Sequence, residues 1–193
     1  MKNFAVFLDR DGTINEEMGY INHLDRFIIL PKAIEAIKFL KRHNFKIIIT
    51  TNQAGVAMGY FPESFISETH NYLINTLAEK GTCLDAIYYC PHHPQAKVAT
   101  YGKDCPCRKP KTGLILKAKK EFNLDLSKCY VVGDKFIDIE FAHNAGLKSI
   151  LVLTGYGKGE IKWVAPKHAL KPNFVAKDLY QAAKWIVNEN FID

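Results

Sequence analysis

Two acids one residue apart, Asp9 and Asp11, follow the apolar run Val6-Phe7-Leu8 and precede Gly12 and Thr13. A run that is apolar on both alternating faces reads as a strand buried on both sides. Carboxylates at the end of such a strand are costly to bury unless a cation or ligand compensates them. The carboxyl ends of strands are also where open α/β sheets bind ligands. The pair therefore predicts a divalent cation and an anionic partner. A helix N-cap would account for one acid, and a relaxed turn for Gly12, but neither accounts for two acids.

Three further strings carry the same kind of chemistry. Thr50-Thr51-Asn52-Gln53-Ala54-Gly55 follows a second apolar run. Thr51 and Asn52 can donate hydrogen bonds to a phosphoryl oxygen, and an ordinary polar turn is the plainer alternative. Arg108-Lys109-Pro110-Lys111-Thr112-Gly113 precedes a helical pattern. Two cations beside a helix N-terminus make an anion site, with Arg108 gripping in a bidentate manner and Lys109 acting as a point charge. A solvated basic loop is the alternative there. Val131-Val132-Gly133-Asp134-Lys135 ends a later strand in another acid. Asp9, Asp11 and Asp134 together offer hard oxygen ligands suited to Mg²⁺. Asp138 reads as a helix N-cap or an acceptor for Lys135 rather than a ligand.

Cys90-Pro91-His92 and Cys105-Pro106-Cys107 are separated by twelve residues. Cys90, His92, Cys105 and Cys107 make a Cys₃His set suited to tetrahedral structural zinc. His93 is the rival imidazole. A Cys105–Cys107 disulfide would close a strained ring. Cys83 and Cys129 sit in apolar surroundings and read as core.

The elements that must position these groups alternate. Apolar runs at 4–8, 46–51, 86–90, 129–133 and 149–153 read as strands. Helical patterns start after Pro31, span 62–80, 113–122 and 178–189, and follow Asp138 as far as Ala145-Gly146. This order predicts an α/β fold over residues 1–193: a Rossmann-like three-layer sandwich with a mostly parallel sheet and no large cap domain. The aperiodic stretch 91–112 needs a staple, which the zinc loop at 90–108 would supply.

With 193 residues, 48% of them hydrophobic, the chain can bury one full core. No apolar run is long enough to span a membrane. Met1-Lys2-Asn3-Phe4 enters a core strand without a cleavable leader, which predicts a cytoplasmic location. The formal net charge is +6, but the lysines are scattered. A solvated surface that attracts a small phosphorylated molecule is expected, with no nucleic-acid partner. Oligomeric state is open, with a monomer the default.

The four strings, in this order and at these strand ends, resemble the haloacid-dehalogenase-like phosphatase superfamily across about residues 4–155. The resemblance implies that Asp9 attacks phosphorus to form an aspartyl-phosphate, and that Asp11 serves as general acid and then base. It implies that the Asp11 carbonyl joins Asp9 and Asp134 in holding Mg²⁺. Thr51 and Lys109 would hold the phosphoryl group, and Lys135 would position Asp9 or a substrate phosphate. Cys-Pro-His-His-Pro, then Cys-x-Cys-Arg-Lys-Pro, with Gly19-Tyr20 and Thr51-Asn52-Gln53, resembles the D-glycero-D-manno-heptose 1,7-bisphosphate 7-phosphatases. That implies a sugar-phosphate substrate. Glu17, Met18, Gly19, Tyr20, Thr51, Asn52, Gln53 and Ala54 would line the sugar, and Arg108 would recognise its far end. Met58 stands where that group often has arginine, and Thr112 where it often has proline. Histidinol-phosphate phosphatases share the same strings and are the alternative. A nucleic-acid 3′-phosphatase and a silent, zinc-stabilised binding module are the remaining readings.

Overall fold

Strands form where β-branched and aromatic residues run on without interruption. β1 (Ala5–Leu8) is buried at every position. Val6 and Leu8 face one layer of helices, and Ala5 and Phe7 face the other. β2 (Lys46–Asn52), β3 (Ala86–Cys90), β4 (Tyr130–Gly133), β5 (Lys148–Val152) and β6 (Phe174–Ala176) complete a six-stranded sheet of order β3-β2-β1-β4-β5-β6. Every pairing is parallel. This computed structural model describes residues 3–190. Met1 and Lys2 of the leader reading, and the last three residues of the span 1–193, lie outside the described residues.

Three helices cover one face: α1 (Ala33–Arg42), α2 (Glu63–Glu79) and α6 (Leu179–Asn190). Ile37, Leu40, Leu73, Leu77 and Ile186 bury there against Val6, Ile47, Ile49 and Val132. α3 (Gly113–Phe122) and α4 (Phe136–Ala145) cover the other face through Leu114, Ile115, Phe141 and Ala142. Each fully buried Ile or Leu contributes about 1.5–3 kcal/mol. The three-layer sandwich is therefore as expected, with the whole sheet parallel. Among the described residues no cap domain interrupts it, and no helix is long and apolar enough to cross a membrane.

Two elements differ from the sequence reading. The edge strand β6 has no mark in the sequence, since three residues carry too short an alternation to register. After β5 the chain makes a short turn, α5 (Gly157–Gly159), then a π-helical and a 3₁₀ turn through Lys167. Cys129 is buried as expected, but Cys83 is exposed. It lies in the α2–β3 connection, which runs over the surface as connections must to keep their backbone groups hydrated.

Candidate active site

Strand order reverses at β1: the chain proceeds outward through β2 and β3, then returns to pair β4 on the other side. The crevice beyond such a reversal is the place an open α/β sheet offers a ligand. Asp9 leaves β1 at this point, its backbone N–H bonded to the Val132 carbonyl at 2.9 Å. Asp134 leaves β4 beside it. One oxygen each from Asp9, Asp134 and Asp138 lie within 4.8 Å of one another, and all three residues are buried.

Burial pushes Asp9 up to about 6, with Lys109 opposing and Asp138 adding to the shift. Burial, with Asp9 and Asp138 beside it, pushes Asp134 up to about 8. Tyr156 donates its backbone N–H to Asp134 Oδ2 at 2.8 Å, while Asp134 Oδ1 is buried with no hydrogen-bond partner. Three crowded carboxylates and an orphaned oxygen fit a hard divalent cation, which would supply the missing positive charge. The space is shaped by backbone. Gly12 has φ +83°, and a Cβ there would lie 2.1 Å from Asp134 Oδ2.

Lys109 Nζ donates to Asp9 Oδ1 at 2.7 Å and to Asp138 Oδ1 at 2.5 Å. Burial pulls the Lys109 ammonium down, but Asp138 and Asp9 outweigh it and keep it charged. The Asp138 expectation holds in part. Asp138 is an acceptor for Lys135, taking its backbone N–H on the second oxygen at 3.3 Å, but Lys135 is the N-cap of α4, Asp138 is three residues further on, and the ammonium Asp138 takes is that of Lys109. The Lys135 ammonium reaches instead across the crevice to Glu17 Oε2 at 2.8 Å and lies over the Tyr156 ring. Asp138 therefore belongs to the acidic cluster itself, because the first turn of α4 tucks it under Gly133.

Above the acids is a cavity of about 300 Å³. Asp11, Glu17, Gly19, Tyr20, Thr51, Asn52, Gln53, Ala54, Arg108, Lys109 and Lys135 reach its wall. Met18 is not among the wall residues; it packs against the core instead. Asn52 uses both ends of its amide on the Lys109 backbone, accepting its N–H at 3.0 Å and donating to its carbonyl at 3.2 Å. Its side chain thus fixes the lysine, and the second Nδ2 hydrogen is left over on a residue of the cavity wall. Gln53 donates to Asp11 Oδ2 at 2.8 Å and to Thr51 Oγ1 at 2.9 Å.

The irregular loop gathers a second donor set. Sulfurs of Cys90, Cys105 and Cys107 and a ring nitrogen of His92 lie within 4.8 Å of one another. His92 Nδ1 is 3.7 Å from Cys90 Sγ and 3.8 Å from Cys107 Sγ. His93 instead accepts the Gln95 N–H. Four soft-to-borderline donors at this spacing can hold a metal ion. Arg108 is tied to the same loop through the His92 carbonyl at 3.1 Å.

A family model described as HAD-hydrolase-like matches residues 106–182. The D-glycero-beta-D-manno-heptose-1,7-bisphosphate 7-phosphatase of Yersinia pestis is 41% identical over 83% of this chain and 88% of its own. The Pasteurella multocida protein of the same name is 40% identical over 89% and 96%. A crystal structure of D,D-heptose 1,7-bisphosphate phosphatase from B. bronchiseptica, complexed with magnesium and phosphate, superposes with a TM-score of 0.84. It shares 32% identity and covers 98% of this chain and 99% of its own. The chain belongs to the heptose-bisphosphate phosphatase family of HAD-like hydrolases.

Several wall residues of this phosphatase escaped the sequence reading. Phe61, Ile137 and Tyr156 contribute apolar and aromatic surface. None carries a local signal, since each is recruited by the packing of a neighbouring loop or helix. Arg10 is the largest miss. It stands between the two motif acids and is 2% exposed, among the most completely buried side chains of the molecule. Though not itself in the wall, it has a sequence signal: an arginine between two acids just past a buried strand is a cation that burial requires to be paired.

Proposed function

We propose that this phosphatase removes the 7-phosphate of D-glycero-D-manno-heptose 1,7-bisphosphate, the β-anomer by analogy with its relatives' names. The observation that carries the reading is the Lys109 ammonium held between Asp9 and Asp138, beside the unpartnered Asp134 oxygen, at the sheet's reversal point. Asp9, Asp134 and the Asp11 carbonyl would hold Mg²⁺, with Asp138 close by. Bound there, the cation supplies the charge that lets an anionic nucleophile approach an anionic phosphate.

Asp9 attacks phosphorus, and the bond from phosphorus to the sugar oxygen breaks. That oxygen takes a proton from Asp11 as it leaves. Asp11, now ionised, takes a proton from water, whose oxygen attacks the aspartyl-phosphate and releases Asp9 and inorganic phosphate. Burial pushes the Asp11 carboxyl up, but Arg10 and hydrogen bonds from Asn15 and Gln53 outweigh it and hold it below the usual carboxylate range. Asp11 therefore takes the proton it delivers from solvent, as the substrate phosphate brings negative charge beside it and raises its affinity for a proton. Lys109 and Thr51 face the transferring group, and Arg108 stands where the substrate's other phosphate would reach. The loop thiolates and His92 would hold zinc, which fits reduced cysteines in the cytoplasm.

The test is kcat/KM on the heptose bisphosphate and on histidinol phosphate, measured with Mg²⁺. A preference of at least about 100-fold for the bisphosphate is expected, since it alone engages a second cationic patch. A preference for histidinol phosphate overturns the substrate assignment. Absence of phosphate release from either, with the metal-loaded protein folded, overturns the reaction.

A further inference from the structure

Arg10 is not at the cavity wall, yet its whole guanidinium is used. Nε and Nη2 reach Asp11 Oδ1 at 3.1 and 3.0 Å, and Nη2 also reaches Asp11 Oδ2 at 2.9 Å and Gln53 Oε1 at 3.1 Å. Nη1 faces Thr69 Oγ1 at 3.4 Å and His70 Nε2 at 3.3 Å, both on α2. The flat face lies over the Phe27 ring at 5.4 Å. Thr69 Oγ1 is itself aimed by donating to the Ile66 carbonyl at 2.9 Å. Neither Thr69 nor His70 is a cavity residue.

A buried charge with this many partners restricts what it touches. The rigid fork matches a carboxylate in two directions, which an ammonium cannot do. Asn15 and Gln53 add single bonds to Asp11 from two other segments. Asp11 is thus held in one rotamer by a clamp whose far end is anchored on α2, more than fifty residues away in sequence. Reaction geometry of this kind is sensitive to sub-ångström placement.

We propose that Arg10 is a positioning residue for Asp11, and that α2 fixes it through Thr69 and His70. The inference rests on the reading of Asp11 as the acid and base of the reaction. It requires that loosening the clamp harm the step in which Asp11 protonates the leaving oxygen. A sugar alkoxide needs that proton; 4-nitrophenolate leaves readily without one.

Single-turnover release of the leaving group is measured by rapid quench with the Mg²⁺-loaded enzyme. The substrates are the heptose bisphosphate and 4-nitrophenyl phosphate. Arg10→Lys is expected to slow release from the sugar on the order of 100-fold, with KM within about threefold and release of nitrophenol nearly unchanged. His70→Leu should show the same signature more weakly, and His70→Gln, which keeps an acceptor for Nη1, should restore it. Equal losses on both substrates, or no loss on the sugar, overturn the inference. Should Arg10→Lys fail to fold by circular dichroism, the two His70 variants decide by the same criteria. Asp11→Asn separates the two levels. If it too lacks the leaving-group signature, the reading of Asp11 itself fails. If it shows the signature and the Arg10 and His70 variants do not, only the clamp is wrong.

Discussion

Asp134 has one oxygen bonded to the Tyr156 N–H and one buried without a partner. An unsatisfied buried acceptor costs about 1–3 kcal/mol, so a ligand that meets it is strongly favoured. Asp134→Asn should therefore weaken Mg²⁺ binding by at least about tenfold. Calorimetric titration of the protein with Mg²⁺ checks this, and unchanged affinity would remove Asp134 from the cation site. Asp9→Asn should abolish turnover while leaving the fold intact, read as phosphate release beside an unchanged far-ultraviolet circular dichroism spectrum. His70 has a different signature. Burial, with Arg10 beside it, pushes it down to about 3. An unfolded chain protonates this imidazole below about 6.5. Between those values the unfolded state holds the extra proton, so stability falls as pH falls, by at most about 1.4 kcal/mol per pH unit. Denaturant midpoints from pH 7 to pH 4 should fall less steeply in His70→Gln than in the native protein. At this scale Asp9, Asp11 and Asp134 were legible because each follows a strand end, and Lys109 because it stands in a basic string leading into α3. The partners of Asp138, Lys135 and Asn52 were not, since which ammonium a carboxylate meets is decided by tertiary packing.

Elements bring these residues together through backbone as much as through side chains. The turn after β1 carries Gly12 at φ +83°, against Asp134 and with its carbonyl bonded to Thr154 Oγ1 at 2.6 Å. Gly12→Ala adds a strained left-handed residue, costing about 1–3 kcal/mol, and drives a methyl into the acid cluster. Lowered thermal stability together with lost cation binding is expected; a variant with native Mg²⁺ affinity would show that the turn has room to spare. The alternating strands and amphipathic helices were legible because their periodicities differ. β6 and the turns at 157–167 were not. The first is short, and the second follows no single period, its helical turns switching between α, π and 3₁₀ geometry. Yet that segment supplies the Glu160 carboxylate to the first N–H of α4 at 2.7 Å, and the residue that leads into it, Tyr156, gives its N–H to Asp134.

For the whole molecule, the loop at 90–108 joins the sheet's edge to the cavity. Tyr101 and Tyr89 both donate to Glu63 at the start of α2, at 2.8 and 3.0 Å, and Arg108 hangs from the His92 carbonyl. Cys107→Ser should lose stoichiometric zinc, lower the melting temperature, and raise KM for the bisphosphate more than it lowers kcat, since Arg108 loses its support. Elemental analysis and steady-state kinetics check both parts; native protein without zinc would reject the staple. The donor set was legible from its spacing, but the link from the loop to α2 through Glu63 was not, because it joins groups distant in sequence.

Asp9, the group proposed as nucleophile, lies just past the central strand, and Asp134, which would complete the proposed cation pocket, is made more than a hundred residues later. A ribosome-bound chain that has emerged only as far as β3 has Asp9 and Thr51 in hand but no Asp134, no Asp138 and no Lys109. Reactivity toward phosphate is therefore expected only late in synthesis, once β4 and the first turn of α4 are made, and a nascent chain truncated at β3 is expected to be inert rather than partly active.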